Sequence, residues 1–205
     1  AERLALELKV QREGLTTANF RQTVNYVKHW KLLLGLLVNF ADAQAVIQRV
    51  AFHEETAEPE EDYEAIRDLV PVELRPVLAT VREMILSVHR EFGLGYSATT
   101  YRKLLEIALC HAGLNCRPDT TVRPMFRDQA LPVSPISPLV VNDAILIEVE
   151  AIHDGITARA IRTMQTHSEV TGAAIGLVVS FGQKKFQIRG VRPPRPYRLS
   201  HSRSP

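Results

Sequence analysis

Moving the chain along itself by 141 residues aligns residues 1–50 with residues 142–191 without a gap. An internal repeat restricts the fold more than any single motif, because both copies must satisfy the same pattern of elements. Ten of these fifty positions are identical: Glu7/Glu148, Gly14/Gly155, Thr16/Thr157, Arg21/Arg162, Gly35/Gly176, Leu36/Leu177, Val38/Val179, Phe40/Phe181, Ile47/Ile188 and Val50/Val191. Further positions exchange one aliphatic residue for another, such as Leu6/Ile147 and Leu34/Ile175. The element types also agree. LALELKV and ILIEVEA read as strands, and helical spacing follows each of them. LGLLVNF and IGLVVSF read as buried strands, and AVIQRV and FQIRGV as short final ones. The chain therefore reads as a complete unit over roughly 78–192, preceded by the C-terminal half of a second.

The complete copy can be followed in order. Val77, Val81, Met84, Ile85 and Val88 form one helical stripe, and GLGYS interrupts it. Helical spacing resumes over residues 98–112 until Gly113 ends it. Residues 120–126 suggest a strand, and the Pro-rich residues 131–138 an edge or loop. The strand around Glu148, a helix over 157–170 and two last strands complete an α/β sandwich around a mixed sheet. With 45% apolar residues in 205, the chain has the material for such a core.

Charge marks the boundaries. Residues 54–64, EETAEPEEDYE, hold seven acids and no base, which reads as a solvated linker. Residues 192–205 hold four arginines, four prolines and no acid, which reads as an unfolded tail. The expected division is 1–53 as the half-copy, 54–76 as the acidic linker and approach to a helix, 77–192 as the complete copy, and 193–205 as the basic tail.

Several classes fall away. A net charge of +2 gives no global case for electrostatic binding of nucleic acid. Two cysteines exclude a disulfide framework and a four-thiolate zinc site. No apolar run is long enough for a membrane span, and no basic segment precedes a hydrophobic one at the start. The expectation is a cytoplasmic protein without a membrane partner. The histidines are scattered without metal-ligand spacing, and GLGYS lacks the lysine of a phosphate loop. Phe20 and Trp30, ten apart on the first-copy helix, read as core or interface residues rather than base-stacking ones.

The remaining pattern is Leu6-Glu7-Leu8-Lys9-Val10, then Gln22-Thr23-Val24-Asn25-Tyr26, then Gly35-Leu36-Leu37-Val38-Asn39-Phe40. Gly93-Leu94-Gly95-Tyr96-Ser97-Ala98-Thr99-Thr100-Tyr101 opens the complete copy. Together these residues resemble the GxxExxY proteins, a bacterial group of the PD-(D/E)XK nuclease-like superfamily, over about 165 of the 205 residues. The resemblance implies a restriction-endonuclease-like αβββαβ sandwich, with a strand-helix-strand-strand partial repeat at the N-terminus.

It also implies a chemistry. Residues two apart on a strand share a face, so Glu7 and Lys9 project together while Leu6, Leu8 and Val10 are expected in the core. A carboxylate on that face can hold Mg²⁺, a hard cation that prefers oxygen. The lysine can orient or deprotonate a water and offset phosphoryl charge. In the family an aspartate from the neighbouring strand supplies the second ligand. Gln22 and Tyr26 would support the constellation or the nucleic-acid backbone. Glu7 and Glu148 are the implied metal ligands.

This sequence departs from that pattern in both copies. In the complete copy the aspartate position is Pro138, the lysine position is Glu150, and the Gln and Tyr positions are Thr163 and His167. The glutamate of the opening motif is Ala98, so Glu148 and Tyr101 alone survive there. Glu148, Glu150 and Tyr101 make up a degenerate second site. The first copy keeps Glu7, Lys9, Gln22 and Tyr26 but begins six residues before Glu7, which suggests a fragment of a longer tandem protein. A half-domain of this size buries its own sheet poorly, so self-association that completes it is a further expectation. The resulting reading is a degenerate, non-catalytic tandem module that binds nucleic acid (DNA or RNA) or a protein. The alternative is a Mg²⁺-dependent nuclease whose first-copy Glu-x-Lys site is completed by upstream residues or another chain.

Overall fold

The structure, a computed structural model, describes residues 4–51, 58–123, 125–126, 129–151, 155–182 and 185–194. It is a mixed α/β fold with mixed sheets, and the chain divides into two compact units. Unit 1 comprises Ala1–Thr56 with Gly95–Ser97, and unit 2 the remainder.

Unit 1 is built on a three-stranded sheet of β1 (Ala5–Lys9), β2 (Leu34–Asn39) and β3 (Val46–Ala51), in that order. Helix α1 (Thr17–His29) connects β1 to β2, which lie parallel; β2 and β3 are antiparallel. Parallel neighbours need such a crossover. The helix starts where it does because the Thr16 hydroxyl accepts from the Asn19 N–H while the Asn19 side chain accepts from the Thr16 N–H. Each side chain thus satisfies a donor that the first turn leaves open. Val24, Leu37 and Val50 form the core beneath α1, with Leu15 and Phe20 against them.

The expected orientation of β1 is reversed. Leu6, Leu8 and Val10 are 56%, 55% and 79% exposed, and it is Ala5, Glu7 and Lys9 that lie toward α1. In unit 1 the one helix among the described residues covers the Glu7 face, so the leucine face has no helix on it.

Unit 2 holds β4 (Pro59–Glu60), α2 (Tyr63–Asp68), α3 (Arg75–Phe92), α4 (Ala98–His111) and β5 (Cys116–Arg117). Two small antiparallel ladders follow, β6 (Thr121–Val122) with β9 (Ser134–Pro135) and β7 (Met125–Phe126) with β8 (Gln129–Ala130). The single strand expected over 120–126 is therefore two short pieces. Then come β10 (Leu139–Val141), β11 (Ile145–Glu150), α5 (Ala158–Thr171), β12 (Ile175–Phe181) and β13 (Phe186–Val191). The main sheet has the order β4-β13-β12-β11-β10-β5. Helix α5 covers one face through Ala160 and Met164, over Leu146, Val178 and Val191. The opposite face carries Ile145, Ile147, Leu177 and Phe181, all buried, with Tyr101 of α4 stacked on Phe181 at 4.0 Å.

The two sheets share a register. Adding 141 to Ala5↔Gly35 gives Leu146↔Gly176, and to Lys9↔Asn39 gives Glu150↔Ser180, both observed pairs. Gly35↔Val50 likewise becomes Gly176↔Val191. The helix caps correspond too, at Thr16 and Thr157.

The acidic stretch departs from its expected character. Residues 54–57 lie outside the described residues, as do residues 195–205 of the expected tail. From Pro59 onward the stretch is built into unit 2: β4 pairs parallel with β13. Glu60 accepts from Lys185 and Gln187, each at 2.7 Å, and Glu61 takes a two-pronged contact from Arg82. Asp62 caps α2 by accepting from the Ala65 N–H at 3.1 Å. Bases distant in sequence offset the acids, which a local charge count does not reveal.

Candidate functional site

Four side chains in unit 1 form one connected chain. On β1, Glu7 and Lys9 share a face by the two-residue alternation of a strand. The Lys9 ammonium lies 2.8 Å from the Glu7 carboxylate, and their side chains are 15% and 18% exposed for Glu7 and Lys9 respectively. Lys9 Nζ also donates to Gln22 Oε1 at 2.9 Å, and Gln22 Nε2 donates to the Tyr26 hydroxyl at 2.9 Å. Gln22 and Tyr26 are four apart on α1, hence on one side of the helix. The helix delivers them over β1 because Gly35 on β2 has no side chain to hold it away. A Cβ at Gly35 would sit 2.8 Å from methyls of Thr23 and Val27. All four residues expected at this site are thus brought together.

The arrangement can bind and position an anion. Lys9 is its one cation, oriented from two sides by Glu7 and Gln22, and Tyr26 carries the network to the end of α1. The ion pair also occupies Glu7, whose carboxylate is the single acid in the network.

The corresponding place in unit 2 has different chemistry. Glu148 and Glu150 project from one side of β11, opposite to Ile147 and Val149. Burial raises the Glu148 carboxyl above its ordinary value, and a hydrogen bond from the Ser137 hydroxyl and the charge of Arg102 oppose that shift. Burial raises Glu150 as well; the Glu148 charge adds to the rise, and a backbone hydrogen bond from Thr157 opposes it. One oxygen of Glu150 and Nδ1 of His167 are buried without a hydrogen-bond partner among the described residues. Burial lowers the His167 pKa, which favours the neutral ring. Ser137, beside the Pro138 that stands at the aspartate position, is a contributor the sequence reading missed.

Tyr101 does not join this group. Its hydroxyl donates to the Gly93 carbonyl at 2.7 Å and its ring stacks on Phe181, on the sheet face opposite Glu148 and Glu150. It ties the GLGYS turn to the helix that follows, a packing role. The sequence places it four residues after the turn but gives no sign of which face it meets.

A pH test follows from the carboxyl pair. A native pKa above the unfolded one means that the folded state holds the proton more tightly. Stability is then lost as pH rises from the ordinary glutamate value near 4.3 through the raised native value. Glu150→Gln is expected to melt higher than the unmodified chain at neutral pH, with the gain vanishing below about pH 4. Glu148→Gln should gain in the same direction, since burial raises that carboxyl too. Thermal melts from acid to neutral pH check this; a gain independent of pH would refute it.

A divalent metal fits neither group. In unit 1 a single carboxylate, already ion-paired, faces no second one among the described residues. In unit 2 two carboxylates share a strand face, and among the described residues no third acid, imidazole or thiolate is placed to join them on a metal. Among the described residues no three His, Cys, Asp or Glu side chains are placed to hold a metal ion. Glu7 and Glu148, the implied ligands, each lack a completed set.

Residues 75–191 match the family model of the PD-(D/E)XK nuclease superfamily. No curated protein matches the chain. Among solved structures, the crystal structure of SSO0001 is similar at 13% identity and a TM-score of 0.36, over 71% of this chain and 72% of that one. An alkaline exonuclease from Laribacter hongkongensis is similar at 14% identity and a TM-score of 0.33, over 67% of this chain and 78% of that one. No helix among the described residues is long and apolar enough to cross a membrane.

Proposed function

The chain belongs to the PD-(D/E)XK nuclease superfamily, and from that premise we propose that it is a degenerate GxxExxY-type tandem that binds nucleic acid without cutting it. One observation carries this reading: among the described residues neither unit combines two carboxylates with a lysine. Unit 1 offers Glu7 and Lys9, already paired at 2.8 Å. Unit 2 offers Glu148 and Glu150, with a carboxylate where the family's lysine stands. Nucleases of the superfamily typically use divalent metal ions, and these donor sets do not supply a cage for one. The retained basic character supports binding. Residues 4–51 contain six Lys and Arg against three Asp and Glu, a local excess that the whole-chain +2 conceals.

The unbroken chain from Glu7 through Lys9 and Gln22 to Tyr26 favours the second reading, a Mg²⁺-dependent nuclease whose Glu-x-Lys site is completed by upstream residues or another chain. Anisotropy titrations of labelled single-stranded DNA, RNA and duplex test the first. Affinity is expected to fall log-linearly with salt, by a slope of roughly 0.7 to 0.9 per phosphate contact. Lys9→Ala should lower that slope by about one contact. Absence of binding to every one of these nucleic acids at low salt would refute it.

A further inference from the structure

We propose that Trp30 is a stacking platform for an unpaired base of single-stranded nucleic acid held by unit 1; this rests on the nucleic-acid-binding reading and names the ligand class. Trp30 follows α1 directly, as its C-terminal cap, and is 59% exposed. Of the core-or-interface reading, the core half does not hold for Trp30, whereas Phe20 does pack against the core. The Trp30 ring lies against Tyr26, with centroids 5.5 Å apart and planes 19° from parallel. The His29 ring meets it edge-on at 6.1 Å. These neighbours fix its orientation before any ligand arrives, so little side-chain freedom is lost on binding.

Its position ties it to the polar network. The Tyr26 ring that supports the indole carries the hydroxyl that accepts from Gln22, and Gln22 accepts from Lys9. A backbone phosphate near Lys9 and a base on Trp30 would thus lie along one helix face. Lys31, also exposed, follows immediately. The fold itself does not require the aromatic pair. At the corresponding places in unit 2, 141 residues on, stand His167 and Thr171, and the Thr171 hydroxyl donates to the His167 carbonyl at 2.8 Å. Unit 2 closes its helix without a stacked pair, so the pair in unit 1 is a feature that helix closure does not need. Stacking on an aromatic side chain accepts any base and needs it unpaired, so the ligand is single-stranded rather than duplex.

The chain has one tryptophan, so its fluorescence reports on Trp30 alone. The test titrates the full chain with labelled oligothymidylate of about 12 nucleotides, recording label anisotropy and indole emission together. The expected result is saturable quenching that tracks the anisotropy. Trp30→Ala should weaken single-strand affinity about tenfold, Trp30→Phe should keep most of it, and duplex affinity should not change. Because Trp30 is exposed, circular dichroism of both variants should match the unmodified chain. Anisotropy without quenching, or unchanged affinity in Trp30→Ala, would overturn the platform while leaving nucleic-acid binding intact. No anisotropy change at all would instead overturn the reading beneath it and point to a protein partner for the indole.

Discussion

Incubated with Mg²⁺ or Mn²⁺, the chain is expected to leave plasmid, single-stranded DNA and RNA intact. Phosphodiester hydrolysis in this superfamily calls for a cation to lower the pKa of a water and to offset charge on the phosphoryl oxygens. Unit 1 brings one carboxylate to that task, and Lys9 already holds it at 2.8 Å. Unit 2 brings two, but burial raises both, and among the described residues no lysine stands beside them. A contribution of several kcal/mol to the barrier is then missing, and each 1.4 kcal/mol or so is tenfold in rate. The shortfall corresponds to a loss of about a thousandfold or more, beyond the reach of a gel assay. Glu7→Ala, Lys9→Ala and Glu148→Ala should behave like the unmodified chain. The opposite pattern, cleavage that either unit 1 substitution abolishes and Glu148→Ala does not, would establish the nuclease reading. It would mean that unit 1 takes its second carboxylate from elsewhere.

Periodicity and spacing made much of this legible. The strand-helix-strand-strand order of unit 1, and of β11 to β13 in unit 2, follows from alternating and 3.6-residue patterns. A gapless alignment then carries the register across, because one shifted residue would turn every side chain over. Glu7, Lys9, Gln22 and Tyr26 meet because two spacings, two on a strand and four on a helix, each fix a common side. What stayed hidden depends on which layer covers which face. The alternation of Leu6, Leu8 and Val10 with Glu7 and Lys9 is symmetric as a pattern, and hydrophobicity alone assigns the leucines inward. The placement of α1 over Glu7 decides otherwise. Tyr101 shows the same gap: its place in a motif suggests a site, while its ring stacks on the other side of the sheet. Long-range charge pairing, such as Glu60 with Lys185 or Glu61 with Arg82, also leaves no local trace.

Filling the glycine beneath α5 is expected to destabilise unit 2. A Cβ at Gly176 would lie 2.3 Å from both Cγ and Sδ of Met164, and 3.1 Å from the Ser168 hydroxyl. Met164 is itself fully enclosed, so its side chain cannot swing into solvent. The helix must rise or the strand must bend, and overpacking of this kind costs about 1–3 kcal/mol. Gly176→Val, with two more methyls, belongs at the upper end, a fall in melting temperature of about 5–10 °C. The decisive measurement is a cycle. Met164→Ala alone leaves a cavity, and Gly176→Ala alone creates a clash; together the new methyl enters the space the methionine vacates. The double variant should therefore be at least about 1 kcal/mol more stable than the sum of the single changes predicts. Strict additivity would mean that the two residues do not compete for one volume. Unit 1 provides the independent repetition, because Gly35 faces Thr23 and Val27, the residues 141 positions before Met164 and Ser168. There the obstructing atoms are methyls of β-branched side chains, which rotate less freely than methionine. Gly35→Ala should thus be relieved by Thr23→Ser, which removes one of the two methyls 2.8 Å away. A close helix–strand approach that depends on the same glycine in both units is a constraint from the fold, independent of any catalytic residue either unit keeps.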